Sequence, residues 1–164
     1  MTSNKINKLF RYLAWFGREG DEFQLPRNVL LYRAAETIEQ SPKPRYCNDT
    51  GKTGTYFSAN SPYLAETMCQ EYNQNLFVSV YKVVKPIELF IGKYSYRKTW
   101  RSYDERFNIP HIDPDISAIY ASNCESAYAE VFLTSQELDN IRFVRSYTMT
   151  VDKAIEKWGV CKRF

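Results

Sequence analysis

The chain has 164 residues, enough for one domain with a real core and too few for two comfortable ones. Its 44% hydrophobic content is ordinary, its 16% aromatic content is high, and 13 of the aromatics are Tyr, which buries a ring while keeping a hydrogen-bonding tip. A net charge of +3 is too weak to argue nucleic-acid binding by itself. Four cysteines at 47, 69, 124 and 161 and a lone His111 give no zinc-site spacing, so no metal is expected. The cysteines read as reduced thiols of a cytosolic protein, with a secreted protein holding one or two disulfides as the alternative. No stretch reaches transmembrane length, and Arg11 breaks Leu9 to Phe16 as a signal-peptide core.

Asn4 to Phe16 reads as an amphipathic helix with Ile6, Leu9, Phe10, Leu13 and Phe16 on one stripe, stopped by Gly17. Arg18 to Arg27 is charged and turn-rich. Asn28 to Ala35 is the first strong strand, and it delivers Arg33 near its end. A guanidinium there is either paired with a carboxylate or aimed into a cleft for an anion, because an unpaired buried one is too costly. Glu36 to Lys52, with Pro42, Pro44, Asn48, Asp49 and Gly51, reads as a loop of the length seen in binding loops. Arg45 and Tyr46 in it offer an anion contact beside an aromatic face.

Tyr56 to Ser58 reads as a short strand, with Gly54 before it permitting close approach of a backbone or ligand. Ser61 and Pro62 mark a helix start, as N-cap and first helical residue. Leu64, Met68 and Tyr72 then recur at helical spacing and predict the face laid on the core. Asn75 to Val84 is a long strand, and Ile87 to Ile91 a short one after Pro86. Gly92 to Pro114 interleaves Tyr94, Tyr96, Trp100, Tyr103 and Phe107 with Lys93, Arg97, Lys98, Arg101 and Arg106. That mixture suits base stacking or a charged protein surface, and equally a helix with a solvated basic face. Ile116 to Ala121 reads as a strand, Ser122 to Ser126 as a turn, and Tyr128 to Leu133 as a strand carrying Glu130. Gln136 to Asn140 is a turn, Ile141 to Thr150 a strand, and Asp152 to Trp158 a last helical turn or two. The sum is one α+β domain over 1–164 with six or seven strands, mostly without helical crossovers.

Arg33, Ser58 and Glu130 are the polar residues that arrive on separate apolar strands. Brought together, they offer a guanidinium, a hydroxyl and a carboxylate, and a carboxylate beside a sugar stabilises an oxocarbenium-like centre. No serine–histidine pair and no glycine-rich phosphate loop is present.

The order Leu31-Tyr32-Arg33, then Tyr56-Phe57-Ser58 before a helix, then Tyr128-Ala129-Glu130-Val131-Phe132-Leu133 ahead of Asp139 to Val144 resembles the mono-ADP-ribosyltransferase toxins of the Arg-Ser-Glu class. The resemblance covers about residues 28–150. It implies a split β-sandwich with flanking helices and NAD as the substrate. Arg33 is then the NAD-supporting arginine, Ser58 the serine that orients the catalytic glutamate, and Glu130 that glutamate, on the ribose 2′-hydroxyl. Tyr56 or Tyr46 lies against nicotinamide, with Arg45 close by. The implied partners are a macromolecular acceptor, protein ahead of nucleic acid, and a neutralising immunity or antitoxin protein, with no membrane. The implied location is the cytoplasm of the cell in which an effector acts. The serine strand reads Tyr56-Phe57-Ser58-Ala59 where the family usually has Ser-Thr-Ser. Tyr128 stands where arginine-modifying members carry Glu or Gln, which argues against arginine as acceptor. Glu125, in the loop, is the weaker alternative carboxylate.

Leu31 to Ala34, Arg45-Tyr46 and Tyr56 to Glu66 are also similar to the RES-domain toxins, which degrade NAD. That resemblance implies a site of Arg33, Arg45, Tyr56, Glu66 and Ser122. Beside it, Glu66 reads simply as an acid complementing a helix dipole. A third alternative is a non-catalytic module that grips protein or RNA through Lys93 to Phe107.

Overall fold

A computed structural model describes residues 5, 6, 8–10, 22–48, 50–90 and 129–160. Its strands are β1 (Glu22–Leu25), β2 (Leu30–Ala35), β3 (Arg45–Cys47), β4 (Lys52–Ala59), β5 (Leu76–Val83), β6 (Ile87–Phe90), β7 (Ala129–Thr134) and β8 (Ile141–Met149). A central helix runs Tyr63–Tyr72 and a last helix Val151–Trp158, and residues 5, 6 and 8–10 are helical. The architecture is α+β. β1 and β6 form an antiparallel pair, and the other six strands form one sheet in the order β3-β4-β2-β5-β8, with β7 on β4. Every pairing in it is antiparallel. Among the described residues no helix is long and apolar enough to cross a membrane.

β4 organises the sheet. One edge pairs with β7 from Gly54 to Ala59. The other edge meets β3 at Lys52 to Gly54 and β2 only at Ser58 and Ala59. Thr55 to Phe57 therefore pair with β7 alone, and the sheet is split there between β2 and β4. Gly54 lies where β3 and β7 flank β4 together, and a Cβ on it would stand 2.1 Å from the Leu133 carbonyl oxygen. Only glycine allows that approach, as the sequence predicts for this position.

Because side chains alternate along strands, the sheet buries two cores. Leu31, Phe57, Ala59, Tyr81, Val83, Val131 and Leu133 face Ile6, Phe10, Leu25, Val29, Ile87 and Leu89. On the other face Tyr32, Ala34, Val78 and Val80 pack under Ala65 and Cys69 of the central helix and Ala154 of the last helix. A bulge in β8 leaves Val144 without a partner opposite Val80 and Tyr81. Phe143 thereby serves the first core, its ring 5.9 Å from that of Tyr81, and Tyr147 packs against the second.

Several expectations need correction. Glu22 to Leu25, read as turn-rich, is β1, held by pairing to β6. The loop after β2 contains β3, and β4 is eight residues long, because β3 and β7 extend its pairing beyond Tyr56 to Ser58. The helix begins one residue later than Ser61 and Pro62 imply. Pro62 accepts the first helical bond from Glu66 N at 2.8 Å, and the Ser61 hydroxyl accepts from Tyr63 N at 3.3 Å. The buried helix residues are Tyr63, Ala65, Glu66, Thr67 and Cys69; Leu64 and Met68 are half-buried and Tyr72 is exposed. Small Ala65 and Cys69 let the helix approach the sheet, which longer side chains would hold off. Eight strands among the described residues exceed the six or seven expected. The expectations for residues 11–20 and for 91–128, including Lys93 to Phe107, His111, Ser122 and Glu125, lie outside the described residues.

Candidate active site

A cleft of about 190 Å³ opens at the split between β2 and β4, under the start of the central helix. Arg33, Tyr56, Ser58 and Glu130 all line it, together with Tyr32, Leu64 and Met68. Register explains the convergence. Tyr32 pairs with Ser58 and Ser58 with Glu130, so the three form one row across β2, β4 and β7 on the face covered by the helix. Directly opposed residues have Cβ atoms about 4.5–5.5 Å apart, which puts the Ser58 and Glu130 side chains in contact range. Glu130 Oε2 is buried.

Arg33 is the next residue along β2 after the last β2–β4 pair, and the diverging strands leave the Tyr56 carbonyl facing the gap. Arg33 Nη1 donates to that oxygen at 3.3 Å. Its Nε donates to Glu39 Oε2 at 3.2 Å. Arg33 is thus paired with a carboxylate, and the residue also lines the cleft.

Ser58 sits where the sequence predicts, at the end of a strand turning into a helix. Its hydroxyl, however, donates to the Ser61 carbonyl at 2.6 Å. A hydroxyl has one proton to give. In this arrangement Ser58 ties down the strand–helix turn, and toward the Glu130 carboxylate it offers no donor. Tyr56 forms a wall of the cleft. Its ring packs edge-on to Phe132 with centroids 4.9 Å apart, and its hydroxyl lies 3.5 Å from Cys47 Sγ.

Arg45 and Tyr46 do not line the cleft. Both are exposed on β3, which pairs with the opposite end of β4 from Ser58, and Tyr46 is 66% exposed. Glu66 does not line it either. It is 1% exposed and points to the last helix. Tyr147 Oη donates to it at 2.5 Å, Trp158 Nε1 at 2.7 Å and Lys157 Nζ at 3.0 Å. It is a structural carboxylate that fastens the central helix to β8 and the last helix.

Burial raises the Tyr147 hydroxyl above the ordinary tyrosine range, and its hydrogen bond to Glu66 raises it further. Burial also pushes Tyr32 up, with Arg145 pulling against it and Glu66 adding to it. Burial pushes Tyr81 up to about 12. These tyrosines keep their protons at neutral pH, and none supplies a phenolate base. Burial raises the Cys69 thiol likewise. Among the described residues, no three His, Cys, Asp or Glu side chains come together as a metal site.

Sequence reasoning missed Glu39, Tyr32, Leu64 and Met68 as neighbours of the site. Glu39 sits in the loop six residues after Arg33, and only the return of that loop over β5 brings it back. Comparison with protein-family models, curated proteins and solved structures gives no match.

Proposed function

We propose that the chain is an NAD-dependent mono-ADP-ribosyltransferase of the Arg-Ser-Glu type, an effector or toxin domain built on a split β-sandwich. The observation that carries this is convergence. Three polar residues singled out on separate strands, Arg33, Ser58 and Glu130, line one cleft at a break in the sheet. A volume of about 190 Å³ is below the usual range for whole ligands, so it suits one end of a dinucleotide, the nicotinamide and its ribose.

In this reading the aromatic wall of Tyr56 and Tyr32 flanks nicotinamide, and Arg33 meets a phosphate or ribose oxygen. Glu130 engages the ribose 2′-hydroxyl and stabilises the cation that develops as the bond from C1′ to the nicotinamide nitrogen breaks. Nicotinamide leaves with the bonding pair, and a nucleophile on the acceptor attacks C1′ and loses its proton. Water in that position would make the same site an NAD glycohydrolase. The RES-type assignment draws no support from Glu66 or Arg45, since neither lines the cleft.

The test is transfer of label from adenylate-labelled NAD to macromolecules of a cell lysate, with wild type beside Glu130→Gln. Label sensitive to protease identifies a protein acceptor, and label sensitive to nuclease a nucleic acid. Nicotinamide release without label on any macromolecule would replace transfer by hydrolysis.

A further inference from the structure

Arg33 spends two of its five N–H groups among the described residues: Nε–H on Glu39 and one Nη1–H on the Tyr56 carbonyl. The remaining three lie on Nη1 and Nη2. Glu39 is itself fixed from both sides through its backbone. Its N–H donates to Ser79 Oγ at 3.3 Å, and the Tyr81 hydroxyl donates to its carbonyl. The loop after β2 is therefore pinned to β5 at Glu39, and the pinned residue presents its carboxylate to the guanidinium of Arg33, which reaches the Tyr56 carbonyl at the split.

We propose that Glu39 is a positioning residue: with the Tyr56 carbonyl it holds the Arg33 guanidinium so that Nη1 and Nη2 are presented to an anionic group in the cleft. The proposal rests on the reading of the cleft as a ligand site and extends it to a residue of the preceding loop. Two opposed effects decide its sign. The Glu39 charge repels an incoming anion, yet it occupies the Nε edge of the guanidinium and not the Nη1–Nη2 end, and the Arg33 and Glu39 side chains are 27% and 23% exposed. At that exposure solvent screens the repulsion only in part. The ordering of a long, flexible side chain is not screened, and done in advance it strengthens binding. With orientation the larger effect, loss of Glu39 weakens anion binding.

Alanine at position 39 keeps both backbone bonds and removes only the carboxylate, so Glu39→Ala isolates the effect. ADP-ribose and inorganic pyrophosphate are the probes, titrated by calorimetry into wild type, Glu39→Ala, Glu39→Gln, Arg33→Ala and the Arg33→Ala/Glu39→Ala double variant. The expected result is binding about tenfold weaker in Glu39→Ala and within about threefold of wild type in Glu39→Gln, whose amide oxygen still accepts from Nε. In the Arg33→Ala background the Glu39→Ala effect disappears, as it must for a residue acting through another. Equal or tighter binding in Glu39→Ala, an undiminished effect without Arg33, or no binding of either probe to wild type overturns the proposal. Binding with the expected coupling but no nicotinamide release from NAD leaves Glu39 in its role and removes the transferase reading. Release that depends on Glu130 without the coupling does the reverse.

Discussion

Glu66→Ala removes the acceptor on which the central helix, β8 and the last helix converge. The carboxylate is 1% exposed and receives Tyr147 Oη, Trp158 Nε1 and Lys157 Nζ. Lys157 is half-exposed, so its ammonium returns to water at little cost. Tyr147 and Trp158 are partly buried and lose a charged acceptor, and a stranded donor costs about 1–3 kcal/mol. The total is about 3 kcal/mol, or about 6–12 °C in Tm for a domain of this size. Glu66→Gln keeps the shape and one acceptor and should cost about half as much, and Lys157→Ala less than about 1 kcal/mol. Urea titrations followed by tryptophan fluorescence measure all three, with the m-value unchanged if only the native contact is lost. A cost below about 1 kcal/mol for Glu66→Ala would refute the account of the network. So would a Lys157→Ala cost equal to that of Glu66→Ala, since it would assign the energy to the exposed ion pair.

Two further predictions concern the frame of the site. Gly54→Ala drives a Cβ into the Leu133 carbonyl and should cost about 3 kcal/mol or abolish folding, read as Tm and yield of folded protein; a Tm within 2 °C of wild type on the scale of about 2–4 °C per kcal/mol would contradict the packing. Tyr81 keeps its proton to about pH 12 when folded and to about pH 10 when unfolded. Above pH 10 the unfolded chain binds fewer protons than the folded one, so the contribution is whole below pH 10 and is lost as pH rises toward 12, by up to about 3 kcal/mol. Urea midpoints from pH 8 upward should fall above pH 10, and less steeply in Tyr81→Phe. The slope persists in part there because Tyr147 and Tyr32 shift in the same direction; an identical slope in both proteins would contradict the assignment.

The strands that build the site are legible because the stretches 30–35, 56–59 and 129–133 each set one polar residue in an apolar run. Arg33, Ser58 and Glu130 stand out against such backgrounds, and a strand, a turn and a helix around Ser61-Pro62 have local signatures. What failed to show was set by distant partners. β1 and β3 have four and three residues, too short for alternation to declare itself, and exist because β6 and β4 pair with them. The bulge at Val144 breaks the period-two pattern of β8. The helix face does not follow side-chain size. Ala65, Cys69 and Glu66 go in, and Leu64 and Met68 border the cleft. Glu66 looks like a helix-dipole acid until the last helix returns to it, and Glu39 looks like a solvated loop acid until its loop closes on β5. The resemblance implies that the hydroxyl of Ser58 serves Glu130. Its proton goes to Ser61, a contact only the geometry of the turn creates.

The central claim is that Glu130, lining the cleft at the split of the sheet, drives loss of nicotinamide from NAD. The direct measurement is nicotinamide release by wild type and by Glu130→Gln, each checked for an unchanged unfolding midpoint, with and without cell lysate. The account predicts release by the wild type and a fall of about 10²–10³-fold in the variant, the usual loss when one group stabilising a charged transition state is removed. Release undiminished in Glu130→Gln, or no release by the wild type with or without lysate, would contradict it.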